Sequence, residues 1–258
     1  MSFNLRYASA KPPQAWPDRL PVVRHVIAQH TPDVIGTQEG LFEQLTDIEQ
    51  GLPDYRWIGL GRDGGSRGEF MAVFYRPERL EPLAFDHFWL SDTPNVIGSA
   101  TWGNTNRRMV THVHFRDRTT GSTFYFWNTH FDFTDDFHIR SAALLQSQMR
   151  LLDPTMPLIL VGDFNAVAEK APVWPLLVND TPDGLTDTWA TAQERRSPAV
   201  STFHGYQGPS LAGDRIDWIL TRGLPRARAA EIITFASETG QYPSDHFPIV
   251  ADLPLSAV

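Results

Sequence analysis

The chain has 258 residues, 41% of them hydrophobic and 20% charged, which excludes intrinsic disorder and allows a large buried core. It contains no cysteine, and this excludes disulfides, thiolate metal sites and cysteine nucleophiles. Its formal net charge of −8 argues against a protein that binds long nucleic acid through a basic face, although it is compatible with one phosphate group held by a cation and a few arginines.

The first third of the chain alternates helical and strand patterns. The segment "MSFNLRY" (1–7) indicates a strand, and the apolar spacing between Asp18, a candidate N-cap, and Pro32 predicts a helix. Residues 33–39 predict a buried strand, and residues 40–53 predict a short helix. Three more strands are predicted from apolar and aromatic runs separated by Gly- and Pro-containing turns: "YRWIGLG" (55–61), "EFMAVFYR" (69–76) and "LAFDHFWL" (83–90).

The rest of the chain continues as strands around one long helix. Residues 109–117 alternate cleanly and are joined through Gly121 to residues 123–132, which predicts a hairpin, and residues 136–152 have helical spacing. The remaining predicted strands are "PLILVGDFN" (157–165), "RIDWILT" (215–221), "RARAAEIITF" (226–235) and "FPIVADLPL" (247–255). Because repeats and linkers are absent from the sequence, we predict a single domain over residues 1–258, built from two stacked sheets with helices outside.

Polar residues stand where the predicted strands end. Asn4, Glu39, His130, Asp163 and Asn165 each close an apolar strand, and Asp245 with His246 opens the last one. If these strands are neighbours, their ends meet at one rim, and such oxygen ligands without sulfur suit Mg²⁺ or Mn²⁺ better than Zn²⁺. Each residue taken alone has an ordinary alternative as a turn residue, a helix cap or a core histidine.

Taken in order, six segments resemble the endonuclease/exonuclease/phosphatase superfamily, the DNase I-like phosphoesterases. They are "FNLRY" (3–7), "TQE" (37–39), "NTHFD" (128–132), "GDFN" (162–165), "RIDWIL" (215–220) and "SDHFPI" (244–249). The segments "GRDGG" (61–65), "FWLSDTP" (88–94) and "GSATW" (98–102) bring the chain closer to bacterial members that resemble the deadenylase-like branch. The resemblance implies an α/β fold, a four-layer α/β/β/α sandwich of two stacked, mostly antiparallel sheets flanked by helices.

The resemblance also implies roles for individual residues. Glu39 would be the principal ligand of a catalytic Mg²⁺, with Asn4 nearby and Asp245 as a further carboxylate on the metal side. Asp163 and Asn165 would orient the attacking water and the phosphate, or help to hold a second ion.

Two acid–histidine pairs are expected from the same resemblance. Asp217 would polarise His246, which would act as general base or phosphate stabiliser, since a histidine needs a partner on its second nitrogen to fix its tautomer. Glu69 would support His130, which would donate to a phosphoryl oxygen or protonate the leaving group. Because charge develops on the phosphoryl oxygens, cationic donors are also expected, and Arg107 or Arg108 is the candidate.

These observations favour a metal-dependent phosphoesterase in which an activated water attacks the phosphate in line. The acidic chain fits a small phosphate ester or single-stranded nucleic acid better than duplex DNA, and Trp89, Trp102 and Phe133 are either core residues or platforms for a ring. The alternatives are a catalytically silent binding module of the same fold and a sugar-binding β-sandwich with a structural Ca²⁺. We expect a monomer.

The sequence predicts no integral membrane segment, since no apolar run is long enough to span a bilayer. The sequence as given shows no signal peptide and favours the cytoplasm, while a trimmed N-terminus would leave secretion open.

Overall fold

The structure, a computed structural model, describes residues 1–255 and contains two stacked mixed sheets. The first sheet is formed by β1 (Ser2–Asn4), β2 (Val34–Gln38), β3 (Arg56–Ile58), β4 (Val73–Tyr75), β10 (Glu194–Arg195), β12 (Ala229–Ile232) and β13 (Ile249–Asp252). The second is formed by β5 (Leu80–Trp89), β6 (Met109–Asp117), β7 (Thr123–His130), β8 (Leu158–Asp163), β9 (Thr186–Asp187) and β11 (Asp217–Arg222). The helices are α1 (Trp16–His30), α2 (Phe42–Gly51), α3 (Asp135–Met149), α4 (Trp174–Leu177) and α5 (Thr188–Thr191).

Strand order follows from the pairing pattern. The first sheet runs β10-β12-β13-β1-β2-β4-β3 and the second β5-β6-β7-β8-β11-β9. Most neighbours in the described part of the chain are antiparallel, and the parallel pairs are β1–β2, β7–β8 and β10–β12. Because β1 and β2 run in the same direction, as do β7 and β8, each pair delivers two strand ends to the same edge of its sheet.

Apolar side chains on the two faces of each sheet form the contacts that hold the four layers together. On β8, Leu158 and Leu160 pack outward against α3, whereas Ile159 and Val161 belong to the core between the sheets. On the opposite outer face, α1 and α2 cover the first sheet with a cluster that includes Val23 from α1. A strand buried on both faces shows a continuous apolar run, as "LILV" does. The expected α/β/β/α sandwich is therefore confirmed.

Several element boundaries differ from the sequence expectation, and two of these differences change the reading of individual residues. Helix α1 starts at Trp16, so Asp18 lies in its first turn and Ala15 is the N-cap residue; Pro17 is tolerated there because the first helical N–H groups have no partner within the helix. Strand β13 starts at Ile249, so Asp245 and His246 lie in the loop before it rather than in the strand.

A buried amide joins the two sheets. Asn128 on β7 donates through Nδ2 to the carbonyl oxygens of Thr37 (2.8 Å) and Ala72 (2.9 Å), and its Oδ1 accepts from Nε2 of Gln38 (2.7 Å). The sheets also approach closely at Gly36, where an added Cβ would lie 2.3 Å from Cγ2 of Val161. These contacts fix how β2 sits over β7 and β8.

The register brings polar strand ends into line. In the second sheet, His130 on β7 pairs with Asp163 on β8, which in turn pairs with Asp217 on β11. In the first sheet, Asn4 pairs with Gln38, the residue before Glu39. These strand ends of the first sheet and of the second sheet therefore lie together at one edge of the sandwich, which we call the rim.

No helix within residues 1–255 has both the length and the apolar character that crossing a membrane requires.

We predict that Asn128→Ala lowers the free energy of unfolding by about 2–4 kcal/mol, because it leaves the buried polar groups of Thr37, Gln38 and Ala72 without a partner from the other sheet. Urea denaturation monitored by circular dichroism measures the change. The control is Gln29→Ala, which removes an amide from an exposed position of α1. Equal stability of the two variants would contradict the bridging role.

Candidate active site

A carboxamide connects the two sheets at the rim. Asn4 Nδ2 donates to Oε1 of Glu39 at 3.1 Å and to Oδ2 of Asp163 at 2.9 Å. Asn4 and Asp163 are buried, and the backbone N–H of Asn165 donates to the other oxygen of Asp163 at 2.9 Å. Two acidic side chains from different sheets are thereby held on one amide, and we name Asn4, Glu39 and Asp163 the rim cluster.

Left-handed backbone conformations shape this rim. Arg6, Glu39 and Asn165 have φ values of 52°, 61° and 47°, a region that residues with a Cβ rarely adopt. Each such residue costs on the order of 1–3 kcal/mol, and such conformations concentrate at functional sites. The turn after each strand redirects the side chain towards the rim instead of continuing the alternation of the sheet.

A histidine–aspartate pair lies beside the rim cluster. Nδ1 of His246 is 3.0 Å from Oδ2 of Asp217, and Nε2 of His246 is 3.7 Å from Oδ2 of Asp163. Burial alone would lower the pKa of His246, but the Asp217 carboxylate, helped by Asp163, raises that pKa to about 10. The backbone N–H of Asp217 is bound by Oγ1 of Thr202, which fixes the strand end that carries the acid.

The second histidine has the opposite electrostatic environment. Nε2 of His130 lies 3.0 Å from Nδ2 of Asn165 and 3.5 Å from Oδ2 of Asp163. Burial, followed by the positive charge of Arg108, lowers the pKa of His130 well below its ordinary value, so the ring is neutral. Nδ1 of His130 has no hydrogen-bond partner within residues 1–255. The site thus holds one neutral and one protonated imidazole.

The expected support of His130 by Glu69 is not found in the described chain, and this expectation is corrected. Oε2 of Glu69 instead binds Nη1 of Arg62 at 2.7 Å. Burial raises the pKa of Glu69, and an arginine in direct contact stabilises the ionised carboxylate better than a neutral imidazole would.

The two candidate arginines lie in different places. Arg108 is buried beside the site, with Nη2 4.0 Å from Oδ1 of Asp132, and its charge acts on both His130 and Asp163. Arg107 turns the other way, donating to the carbonyl oxygen of Gly98 and to Oδ1 of Asp63. Both residues lie in the loop just before β6, and their contacts show that Arg108 faces the site while Arg107 does not.

The structure groups the carboxylates differently from the sequence expectation. Ligand atoms of Glu39, Asp163 and His246 lie within 4.8 Å of one another. Asp245 is separated from Glu39 by the guanidinium of Arg6, whose Nη1 is 3.7 Å from Oε2 of Glu39 and whose Nε is 3.5 Å from Oδ2 of Asp245. The set Asn4, Glu39 and Asp245 therefore does not converge on one point, because Arg6 occupies the space between the two acids.

The rim cluster nevertheless fits a hard divalent cation. Burial, followed by the neighbouring Asp217, raises the pKa of Asp163, which shows that uncompensated negative charge is unfavourable there. Carboxylate oxygens are ligands that Mg²⁺ and Mn²⁺ take, and Glu39 and Asp163 supply them. Asn4 holds both acids through Nδ2, while its Oδ1 accepts from the backbone N–H of Arg6. Glu39 is the member that remains partly open to solvent.

Sequence reasoning missed two contributors. Arg6 lies inside "FNLRY" but carries no recognisable spacing signal, and Asn128 opens "NTHFD" with a role in joining the sheets. Both act through contacts with residues more than 30 positions away, which periodicity does not reveal.

The comparisons with known proteins agree with this architecture. The sequence model of the Endonuclease/Exonuclease/phosphatase family matches residues 1–246. Among curated proteins, no match was found. Among solved structures, the mannosyl-6-phosphatase Bt3783 of Bacteroides thetaiotaomicron is 32% identical with a TM-score of 0.90, and the match covers 98% of each chain.

More distant structures share the fold. TDP2 of D. rerio, complexed with a single-strand DNA product, is 16% identical with a TM-score of 0.75 and coverage of 98% of this chain and 97% of that one. The human Nocturnin catalytic domain with a bound sulfate is 18% identical with a TM-score of 0.71, covering 97% and 90%. Because the family match spans residues 1–246, the chain belongs to the endonuclease/exonuclease/phosphatase family.

Proposed function

We propose that this protein is a divalent-metal-dependent phosphoesterase that hydrolyses a phosphate ester by in-line attack of water. The observation that carries the proposal is the meeting of the Asp217–His246 pair with the rim cluster at Asp163, whose Oδ2 lies 3.7 Å from Nε2 of His246. The Asp163 carboxylate can position a water and receive its proton, while the oriented, protonated histidine beside it stabilises the phosphoryl oxygens. A silent binding module has no chemical need for that arrangement.

The position of each site residue determines the role that we propose for it. Glu39, with Asn4 bound to it, holds Mg²⁺ or Mn²⁺, and the bound ion supplies electrostatic stabilisation of the phosphoryl oxygens. Asp163 and Asn165 orient the water and the phosphate. Asp217 holds His246 with Nε2 towards the reacting group, where the protonated ring donates to a phosphoryl oxygen.

The remaining polar groups stabilise charge around the phosphate. His130 is neutral, and its Nε2 accepts from Nδ2 of Asn165, so the ring holds the Asn165 side chain in place beside the phosphate. Arg108 adds a buried positive charge beside it. Asp245 acts through Arg6, which it holds next to Glu39. Developing negative charge in the transition state is thus met by fixed donors rather than by mobile water.

For the substrate, we propose a small phosphomonoester, with a sugar phosphate as the first candidate. The 32% identical mannosyl-6-phosphatase, covered over 98% of its length, supports this class. The net charge of −8 makes a nucleic acid substrate a weaker candidate, and a single strand would fit better than a duplex.

We predict that Glu39→Gln lowers kcat/KM at least 100-fold on the substrate cleaved best from a panel of sugar phosphates, nucleotides and oligonucleotides. The substitution removes the negative charge of the Glu39 carboxylate, which is proposed to hold the cation. In a separate test, EDTA should abolish the activity of the unaltered protein. Calorimetric titration with Mg²⁺ should show weaker binding in the variant. The control is Glu43→Gln, at an exposed position of α2. Hydrolysis that resists both EDTA and Glu39→Gln would contradict a metal-dependent site.

We predict that Asp217→Asn lowers the pKa of His246, since burial then acts without the opposing carboxylate. The sign follows from the cause: Asp217 stabilises the protonated ring, so its removal shifts protonation to lower pH. NMR titration of the His246 ring in metal-free protein measures the shift, and kcat should fall about 100-fold or more with Mg²⁺ present. Asp180→Asn, at an exposed site, is the control. An unchanged His246 titration would exclude the pairing.

A further inference from the structure

An open groove begins at the catalytic rim. It has a volume of about 370 Å³ and is lined by Phe133, Asp135, Asn165, Lys170, Pro172 and Asp214, among others. Asn165 belongs both to this groove and to the site, since its Nδ2 lies 3.0 Å from Nε2 of His130. A ligand whose phosphate is held at the rim would therefore have its next atoms at the mouth of the groove. We name it the Phe133 groove.

Phe133 is the unusual member of this lining. Its side chain is 66% exposed, whereas Trp89, another aromatic candidate from the sequence, is buried and donates through Nε1 to the carbonyl oxygen of Arg62. The Phe133 ring is held in place on the site side, where Cζ of Arg108 lies 5.3 Å from its centroid. An exposed aromatic ring fixed beside a reaction site is a platform for a ring-shaped or apolar part of a ligand.

Arg108 behind this ring provides an independent sign of a missing ligand. It is only 3% exposed, and its Nε and Nη1 have no hydrogen-bond partner among residues 1–255. A buried guanidinium with free N–H groups is costly unless an acceptor completes it. A phosphoryl oxygen at the rim is such an acceptor, which places phosphate on one side of Phe133 and the groove on the other.

The polar side chains along the Phe133 groove indicate which kind of ligand it binds. Asp135 and Asp214 contribute carboxylates to the groove. Lys170 is the one lysine or arginine among the described lining residues, and its Nζ already lies 2.6 Å from Oδ1 of Asp214. Such a rim repels a second phosphate but accepts hydrogen bonds from hydroxyl groups. The combination of one aromatic face and acidic acceptors matches a neutral ring that carries several hydroxyls.

We propose that the Phe133 groove binds the alcohol half of the phosphate ester, and that this half is a sugar ring. The inference rests on the proposed phosphoesterase function and adds the subsite that selects the substrate. The C–H face of the sugar packs on Phe133, and its hydroxyls donate to Asp135 and Asp214. As the oxygen of water bonds to phosphorus, the bond from phosphorus to the sugar oxygen breaks; that oxygen leaves with the electron pair, takes a proton, and the free sugar departs through the groove with inorganic phosphate released at the rim.

The kinetic test compares a substrate with a ring to one without. We measure kcat/KM for a hexose 6-phosphate and for ethyl phosphate with the unaltered protein, Phe133→Ala, Phe133→Trp and Phe85→Ala. Phe85 is a matched control because it is 59% exposed on β5, outside the groove. Phe133→Ala should lower kcat/KM for the hexose 6-phosphate at least tenfold, mainly through KM, and change that for ethyl phosphate less than twofold. Phe133→Trp should retain most of the preference for the sugar.

Three results would overturn the proposal. An equal loss with both substrates would mean that Phe133 only positions Arg108. A loss of sugar preference in Phe203→Ala instead would place the alcohol on the opposite side, where the 51% exposed Phe203 ring lies 5.1 Å from the His246 ring. A Phe133-dependent preference for a nucleoside 5′-phosphate over the hexose 6-phosphate would assign the groove to a base.

A binding measurement separates this inference from the proposed function. In EDTA, which prevents turnover, hexose 6-phosphate is titrated into the unaltered protein and into Phe133→Ala, and NMR shifts are followed. Binding weakened at least fivefold in Phe133→Ala supports the subsite even if no phosphate ester is ever hydrolysed, in which case only the proposed function fails. If the protein hydrolyses phosphate esters but Phe133→Ala binds hexose 6-phosphate as tightly as the unaltered protein, the proposed function stands and the sugar subsite is excluded.

Discussion

The fold depends on one buried amide. The side-chain N–H groups of Asn128 donate to the carbonyl oxygens of Thr37 and Ala72 in the opposite sheet. These hydrogen bonds fix the position of one sheet relative to the other. Thr37 lies two residues before Glu39, and Asn128 lies two residues before His130. Because both bridged residues are close to the ends of their strands, the bridge that aligns Thr37 with Asn128 also brings the two strand ends to the same rim. Gly36, with no space for a Cβ, permits this close approach.

Once the strand ends meet, electrostatics sets the character of the site. Burial and like charge raise the pKa of Asp163, while Asp217 raises that of His246 against the effect of burial, so each group offsets part of the other's cost. The left-handed turns at Arg6, Glu39 and Asn165 add strain to the same rim. A rim with clustered acids, strained turns and an unpartnered buried guanidinium is less stable alone than with a cation and a phosphate bound.

Much of this architecture was predictable because it is periodic or local. Apolar runs such as "LILV" located the strands, and polar residues at their ends located the rim, so the family and the four-layer sandwich follow from the sequence. Contacts between distant loops did not follow. Glu69 binds Arg62 rather than His130, and Arg6 stands between Glu39 and Asp245, since both outcomes depend on which of several nearby charges approaches closest in three dimensions. The roles of the site residues stay predictions.

The residues proposed for the chemistry and those proposed for substrate selectivity lie in different parts of the molecule. Most of the groups proposed for water and phosphate lie at or next to the ends of β1, β2, β7, β8 and β11, where hydrogen-bonded neighbours hold them in register, and His246 lies in the loop before β13. Phe133 lies in the short segment between β7 and α3, next to those groups but outside the sheet. A loop can exchange its side chains without moving the strand ends that flank it, because its backbone carries no sheet pairing. We therefore expect a change at Phe133 to alter which alcohol is accepted while the phosphate chemistry proposed for Asp163 and His246 remains the same.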